Sequence, residues 1–169
     1  TDILLLRRTI SINMEISVIK LSRMADYAIL LVTRMANDSK KLYSAQELSD
    51  YTSLPITTVN KILSKLTRNK ITHSYRGVSG GYKLASSADK ITVRKIIDII
   101  DGKIALTACS EASDDECNMT GFCPTQKNWQ IINNAVCDAL DSVNIAEMAN
   151  PEKFLSIFNS GIRNKKNWM

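Results

Sequence analysis

Three cysteines, Cys109, Cys117 and Cys123, lie close together in a polar part of the chain. The residues between them are mostly Ser, Asp, Glu, Asn, Thr and Gly, and no helical or strand-like apolar period runs through them. Thiolates are preferred ligands of zinc and of iron–sulfur clusters. The spacing matches neither the short cysteine pairs of structural zinc sites nor the ferredoxin runs. We expect residues 104–123 to form a cluster-binding cysteine loop; inert reduced thiols and a redox disulfide switch are the alternatives.

The chain after the loop predicts how the third thiol is stabilised. Pro124 favours the first turn of a helix, so Cys123 would lie at a helix N-terminus, where free N–H groups and the helix dipole favour a thiolate. Cys137 is different, because it lies 13 residues after Pro124, about 20 Å along a helix. It borders an apolar stripe, and we predict that it is a small buried hydrophobe.

A second group of residues could bind nucleic acid. Residues 54–83 include six basic residues and no acidic one. The basic residues are Lys61, Lys65, Arg68, Lys70, Arg76 and Lys83. Such a run usually forms a solvated charged face, but this one covers a short helix, a tight turn, a second amphipathic helix and a hairpin. That order is the winged helix-turn-helix pattern, so the run covers the surfaces that such folds offer to DNA.

We select six residues of this segment as candidates for contacts with double-stranded DNA. They are Thr57, Thr58, Asn60, Lys61, Lys65 and Arg76. Asn pairs naturally with adenine, Lys with guanine and the Thr methyl group with thymine, so side chains at the front of the second helix would read base edges. Arg76 lies just before the glycine-rich hairpin tip and could enter a minor groove.

The composition is that of an ordinary globular protein, with 44% apolar and 23% charged residues in a chain of 169. No apolar run approaches the ~20 residues of a membrane span, and no signal-peptide pattern opens the chain, so we expect a cytoplasmic protein with reduced cysteines and no membrane partner. Residues 1–103 have 17 Lys/Arg against 9 Asp/Glu (net +8), and residues 104–169 have 5 against 8 (net −3). The first part is therefore the one expected to bind DNA.

The first part of the chain predicts several capped helices. Ser22 should cap the first helix, and Ser44 the second, where a capping box with Glu47 is expected. Tyr51, near the end of the second helix, would face inward. The third helix is expected over about residues 56–69, where apolar residues recur at helical spacing.

A glycine-rich hairpin follows the third helix. Residues 71–85 should form the wing, to which Ile91 could add a third strand, and Thr92 should cap a fourth helix. With a helix-turn-helix at about residues 45–68, these elements define a winged helix-turn-helix domain over residues 19–103. The predicted fold class is mainly α with a small β wing.

The second part of the chain predicts one long helix over about residues 124–143. Its apolar stripe consists of Trp129, Ile132, Val136, Leu140 and Val143. The stripe is more apolar than one short domain needs, so we assign residues 124–158 to dimerisation, with packing on its own domain as the alternative. Residues 1–18 form an N-terminal extension or arm that contains Met14, a candidate start, and residues 159–169 are a basic tail.

Specific segments resemble a known family. The segments KLSRMADYAI, LPITTVNKILSKLTRNKI and YRGVSGGYKL, followed by three loop cysteines and a long helix, resemble the IscR/NsrR family of winged-helix regulators over roughly residues 19–150. The similarity is highest to regulators of SUF iron–sulfur assembly genes. The resemblance implies a homodimer, and an iron–sulfur cluster, 2Fe-2S or 4Fe-4S, on Cys109, Cys117 and Cys123. A dimer in turn predicts a pseudo-palindromic operator.

The resemblance also assigns roles to single residues. Asn60 falls where IscR-like sequences carry a discriminating residue, and Arg76 matches the wing arginine. Two features depart from the pattern: the first cysteine interval is longer, with residues 114–116 as the insertion, and Gln126 stands where IscR-like members have a ligating histidine. Asp26 resembles the aspartate that NsrR-like members donate across the dimer, so we name it the fourth ligand, with interaction with its own helix dipole as the alternative.

We therefore predict a transcriptional regulator that senses an iron–sulfur cluster, and more specifically a repressor of SUF-type assembly genes. Two alternatives stay open: a nitric-oxide-sensing repressor of the same fold, and a zinc- or thiol-stabilised DNA-binding protein without a sensing role. We do not expect an enzyme, because the sequence has no catalytic triad, phosphate-binding loop or paired carboxylates in a recognisable pocket.

Overall fold

The computed structural model describes residues 21–110, 122–150 and 152, which are largely helical. Its elements are α1 (Arg23–Ala36), α2 (Ala45–Thr52), α3 (Ile56–Arg68), β1 (Thr72–Tyr75), β2 (Gly81–Leu84), α4 (Val93–Ile100), α5 (Gln126–Asp141) and α6 (Ile145–Met148), with two short 3-10 helices, Ala88–Lys90 and Ala108–Ser110. The predicted fold class, mainly α with a small β wing, is confirmed. Our predictions for residues 1–18, for Cys117 and for the chain after Glu152 lie outside the described residues. No helix among those described is long and apolar enough to cross a membrane.

Side-chain caps begin the helices at the predicted residues. Ser22, Ser44 and Thr92 each accept a hydrogen bond from the backbone N–H three residues later, at 3.0, 3.0 and 3.2 Å. The predicted capping box of α2 is only half formed, because the Glu47 carboxylate pairs with the Lys41 ammonium instead of the Ser44 N–H. A charged partner on the preceding loop competes successfully for this carboxylate.

The hydrophobic core lies between α1, α3 and α4, with α2 packed on α3 and α6 packed on α1. Its fully buried large side chains include Leu31, Met35, Leu48, Ile62, Leu63, Leu66, Ile71, Ile96, Ile97 and Ile145. The prediction that Tyr51 faces inward is wrong, since its side chain is 61% exposed. The Arg34 guanidinium lies 3.3 Å from the centre of the Tyr51 ring, so a cation–π contact covers one ring face at the surface.

The wing is an antiparallel pair, β1 with β2, as predicted. The segment that extends it is Tyr43 and not Ile91: the Tyr43 N–H donates to the Tyr82 carbonyl at 2.9 Å, and the Tyr82 N–H to the Tyr43 carbonyl at 2.8 Å. A Cβ at Gly81 would lie 2.7 Å from the Tyr43 carbonyl oxygen, so only glycine allows this approach. Ile91 is buried, and its carbonyl accepts from the Ile145 N–H at 2.9 Å.

The C-terminal end of α5 is attached to the start of α4. Asp141 accepts hydrogen bonds from the Thr92 hydroxyl at 2.9 Å and from the Arg94 guanidinium at 2.7 Å. The Val93 N–H donates to the Val143 carbonyl at 2.9 Å. These bonds fix α5 to the winged helix-turn-helix at one end.

Candidate functional site

One side of α3 is buried and the other carries polar and basic side chains. The buried side consists of Val59, Ile62, Leu63 and Leu66. The exposed side consists of Thr57, Asn60, Lys61, Ser64 and Arg68, which recur at helical spacing. We call these five side chains, together with Arg76 of the wing, the basic face. Ser64 and Arg68 were not among our predicted DNA contacts, although their distance of four and seven residues from Asn60 and Lys61 could have identified them.

Two of the predicted DNA contacts, Thr58 and Lys65, do not lie on the basic face. Thr58 is half-buried at its flank. Lys65 has an internal role, because its ammonium donates to the Ile100 carbonyl at 2.7 Å. Ile100 is the last residue of α4, where a cation satisfies a free carbonyl and complements the helix dipole. We therefore leave Lys65 out of the basic face, and its contact with DNA stays a prediction.

Arg76 lies exposed at the turn of the wing. Gly77 has a φ of +122°, a conformation that glycine adopts without steric cost. The turn is closed by a hydrogen bond from the Gly80 N–H to the Gly77 carbonyl at 3.0 Å. The glycines thus build a tight tip that keeps Arg76 in solvent.

The basic charges of this segment are not neutralised within the described part of the chain. The ion pairs found there join Lys41 to Glu47 and Arg94 to Asp98 and Asp141. None of them involves a basic residue of the segment 54–83. The charges are therefore available to phosphate groups, whose neutralisation provides much of the affinity of DNA-binding proteins.

Cys123 lies half-buried just before α5, in an environment that favours a thiolate. Its sulfur lies 3.3 Å from the Thr125 hydroxyl. That hydrogen bond, followed by those from the Thr125 and Gln126 backbone N–H groups, holds the pKa of the Cys123 thiol below its ordinary value. The helix starts at Gln126 because Pro124 and Thr125 form a turn. A thiolate stabilised at a helix N-terminus suits an anionic metal cluster.

Cys109 belongs to a segment that contacts the same helix. The 3-10 helix Ala108–Ser110 packs against α5, and the Ser110 N–H donates to the Thr107 carbonyl at 2.8 Å. The side chain of Cys109 and all of Cys117 lie outside what the structure describes. Two of the three predicted cysteine ligands therefore belong to segments held by α5.

Asn133 is a residue of this region that sequence reasoning missed. It lies in the middle of α5 and is only 6% exposed. Its amide nitrogen donates to the Ile104 carbonyl at 3.1 Å, and its amide oxygen accepts from the Leu106 N–H at 3.0 Å. An asparagine within an apolar stripe was the available signal, because a buried amide needs hydrogen-bond partners.

Cys137 is buried, as predicted, with 4% of its surface exposed. The Asn133 amide lies 3.8 Å from its sulfur. Cys137 lies 14 residues after Cys123, which corresponds to about 21 Å along a helix axis. It is therefore remote from the N-terminus of α5.

Asp26 is exposed in the first turn of α1. Leu30, one turn farther along α1, is also exposed, so water can solvate the Asp26 charge. Exposure leaves the carboxylate available to a second subunit, and its role as fourth ligand stays a prediction.

The predicted apolar stripe of α5 divides into two parts. Leu140 and Val143, at the C-terminal end, pack against the core. Trp129 and Ile132, nearer the N-terminus, are exposed, and Ile131, which was not part of the predicted stripe, is exposed by 66%. An exposed apolar patch of this kind is typical of a protein–protein contact.

Comparison with known proteins relates this chain to transcriptional regulators. The family model Rrf2, described as an iron-dependent transcriptional regulator, matches residues 21–151. A curated relative, the HTH-type transcriptional regulator IscR of Erwinia tasmaniensis, is 26% identical over 111 residues, 66% of each chain. IscR of Sodalis glossinidius is 23% identical over 139 residues, 82% of this chain and 83% of its own.

Solved structures share the fold. CymR, the global cysteine regulator of B. subtilis, has a TM-score of 0.61 and 25% identity, over 78% of this chain and 97% of its own. T. potens IscR has a TM-score of 0.62 and 21% identity, over 79% of this chain and 88% of its own. The family match covers most of the chain and is accompanied by a winged helix-turn-helix with an exposed basic face. This chain belongs to the Rrf2 family of DNA-binding transcriptional regulators, which are not enzymes.

Proposed function

We propose that this protein regulates transcription through an iron–sulfur cluster held by Cys109, Cys117 and Cys123, and that it represses SUF-type iron–sulfur assembly genes. The observation that carries the proposal is the position of Cys123 next to the N-terminus of α5, with its sulfur 3.3 Å from the Thr125 hydroxyl. The segment of Cys109 packs on the same helix. The fraction of the protein that carries a cluster would depend on the supply of iron and sulfide.

The basic face would contact DNA. Lys61, Arg68 and Arg76 would neutralise phosphates or read guanine, and Asn60 would read adenine in the major groove. All four side chains are exposed, and α3 itself is fixed by its buried side. A rigid helix that presents short polar and long basic side chains suits sequence-specific binding.

A second copy of the chain would cover the exposed part of α5. Trp129, Ile131 and Ile132 are exposed apolar side chains near the start of α5, and a homodimer would remove part of this apolar area from water. Two recognition helices related by a two-fold axis require a pseudo-palindromic operator. Within that dimer, Asp26 would donate its carboxylate to the cluster of the partner subunit and so link the cluster to α1.

The cluster is tested by anaerobic purification followed by iron and sulfide analysis and visible spectroscopy. The wild type should be coloured, and Cys123→Ala should bleach it with an unchanged circular dichroism spectrum. Cys137→Ala is the matched control, since this cysteine is buried away from the site, and it should keep the cluster. Colourless wild-type protein without iron or sulfide after reconstitution would refute the proposal, and stoichiometric zinc would favour the structural alternative.

The fourth ligand is tested by Asp26→Ala, with the exposed Asp38→Ala as the control. Asp26→Ala should keep the dimer but alter the visible spectrum or speed cluster loss, because one iron would exchange its carboxylate for water or another donor. Identical spectra and lifetimes for the two variants would remove Asp26 from the site.

A nitric-oxide-sensing repressor of the same fold is the second candidate. Asp26 favours it, because the resemblance of that segment is to NsrR-like members. Proteins of this fold are named for different signals, IscR and a cysteine regulator among them, so the fold alone does not select the signal. Anaerobic nitric oxide should release the loaded protein from DNA in this case, whereas removal of iron should do so in the first.

A further inference from the structure

We propose that Asn133 is the positioning residue of the cysteine site, a role that rests on the proposed function. Its amide anchors the chain just before Cys109 to the helix whose N-terminus carries Cys123. Asn133 is no ligand in this scheme: it acts on the path of the backbone that brings a ligand into place.

The Asn133 amide has a full set of partners. It accepts from the Leu106 N–H at 3.0 Å and donates to the Ile104 carbonyl at 3.1 Å. Its second N–H lies toward the Cys137 sulfur, at 3.8 Å from the nitrogen. A buried amide that is satisfied in this way is both stable and specific, because any shift of the backbone leaves polar groups unpaired.

The orientation of the amide is dictated by the backbone. The Leu106 N–H can only donate and therefore requires the amide oxygen, whereas the Ile104 carbonyl can only accept and requires the amide nitrogen. One side chain therefore fixes both the position and the register of residues 104–106. A shift of this segment along α5 would separate both pairs of atoms and break both hydrogen bonds.

This anchor defines the base of the cysteine loop. The chain leaves it at Leu106, passes Cys109 three residues later, and returns to α5 at Cys123. Asn133 and the α5 N-terminus are thus two points at which α5 holds the segment that contains the three cysteines. Without Asn133, only the packing of Ala108–Ser110 would hold the chain near Cys109 to α5, so Cys109 would be less firmly positioned relative to Cys123.

Other metal sites indicate how strongly the loss of Asn133 should affect cluster stability. Groups that orient a ligand without contacting the metal typically change metal affinity or activity about 10- to 100-fold when removed. We therefore expect Asn133→Ala to accelerate cluster loss to an iron chelator about 10-fold, as followed by visible absorbance. Asn134→Ala is the matched control, since Asn134 is the next residue and is exposed; its cluster should persist as in the wild type.

A second variant separates positioning from folding. Asn133→Gln keeps both the donor and the acceptor but moves them by one methylene group, so it should fold and show a smaller acceleration than Asn133→Ala. The thermal unfolding midpoint and circular dichroism of each variant report on the winged helix-turn-helix. Faster cluster loss with an intact domain is the expected result, which a merely structural role would not produce.

A measurement on metal-free protein tests the role of Asn133 independently of the proposed function. In metal-free protein with Cys117→Ser and Cys137→Ser, a short bismaleimide should join Cys109 to Cys123, and Asn133→Ala should slow this reaction several-fold while Asn134→Ala should not. Equal cluster lifetimes and equal cross-linking rates for the two asparagine variants would overturn the role of Asn133 and leave the proposed function standing. Colourless wild-type protein would refute the proposed function, and the cross-linking rates would still decide the role of Asn133.

Discussion

Two amphipathic helices of this chain use their faces in opposite ways. Helix α3 buries four of its five apolar residues completely in its own domain. The longer α5 buries Asn133 and Cys137, while Trp129, Ile131 and Ile132 stay exposed. The buried side of α3 is thus apolar and its exposed side basic, whereas α5 has a polar residue at its buried centre and apolar residues on its surface.

The two helices differ in whether their apolar side chains find contacts within the domain. The apolar side of α3 finds its contacts inside the domain, so α3 is a rigid support for the basic face. The apolar residues near the start of α5 lack such cover in the described part of the chain, and we assign them to a second copy. The polar centre of α5 is used to hold the chain that leads to Cys109.

The largest expected effect comes from comparing isoleucine-to-alanine substitutions in the two helices. Ile62→Ala in α3 should lower the free energy of unfolding by about 2–5 kcal/mol, because the fully buried side chain would leave a cavity. Ile131→Ala in α5 should cost the monomer less than about 0.5 kcal/mol, because the side chain is largely exposed. Urea unfolding measures the first quantity, and sedimentation should show that only Ile131→Ala weakens the dimer.

Equal loss of monomer stability in both variants would contradict the comparison, since Ile131 would then pack within its own domain. An unchanged dimer in Ile131→Ala would place the interface elsewhere.

The next effect compares two lysines of α3. Lys65→Ala should cost about 1–3 kcal/mol of stability, because the Ile100 carbonyl loses its partner. Lys61→Ala should leave stability unchanged and weaken DNA binding, with the slope of log affinity against log salt reduced by about one. Arg76→Ala should behave like Lys61→Ala. A reduced salt slope in Lys65→Ala at unchanged stability would return Lys65 to the DNA contacts.

Base recognition should show a smaller and more selective effect. Asn60→Ala should relax discrimination at one position of the operator by about 1–3 kcal/mol, if its amide reads an adenine. Competition between operators that differ at single base pairs measures this. Lys61→Ala, which should weaken binding to all operators alike, is the control on the same side of α3, and a uniform loss of affinity in Asn60→Ala would indicate a phosphate contact instead.

The smallest effect concerns the thiol at the start of α5. Because the pKa of Cys123 lies below its ordinary value, its thiolate persists to lower pH and should react with iodoacetamide there in metal-free protein. Thr125→Ala should move this profile to higher pH, and Thr125→Ser, which keeps the hydroxyl, should not. Identical profiles for all three proteins would exclude the Thr125 hydroxyl as the cause.

The sequence predicted those elements of the fold that depend on local rules. Ser22, Ser44 and Thr92 were identifiable as caps, and the buried side of α3 follows from its apolar period. The wing followed from its glycines. The thiolate environment of Cys123 was also predictable, since Pro124 marks the start of a helix.

The misses depend on contacts between distant segments. Tyr43 joins the wing through a single bridge, which leaves no period in the sequence. The role of Lys65 depends on where α4 ends, and that of Asn133 on where residues 104–106 pass. Charge and burial patterns alone therefore did not reveal the bond of Lys65 to Ile100 and overlooked Asn133.

The bonds of Asp141 to Thr92 and Arg94 have a mechanical consequence. They hold the C-terminal end of α5 in place, so the helix can tilt about that end. Cys123 lies just beyond the opposite end, and the 16 residues of α5 make it about 24 Å long at 1.5 Å per residue. A tilt of about 5° would therefore displace the N-terminal end of α5 by about 2 Å. In the proposed dimer, two recognition helices would have to match half-sites about 34 Å apart. The stiffness that Arg94 gives to this joint would then set how much of a displacement at the cysteines reaches the DNA.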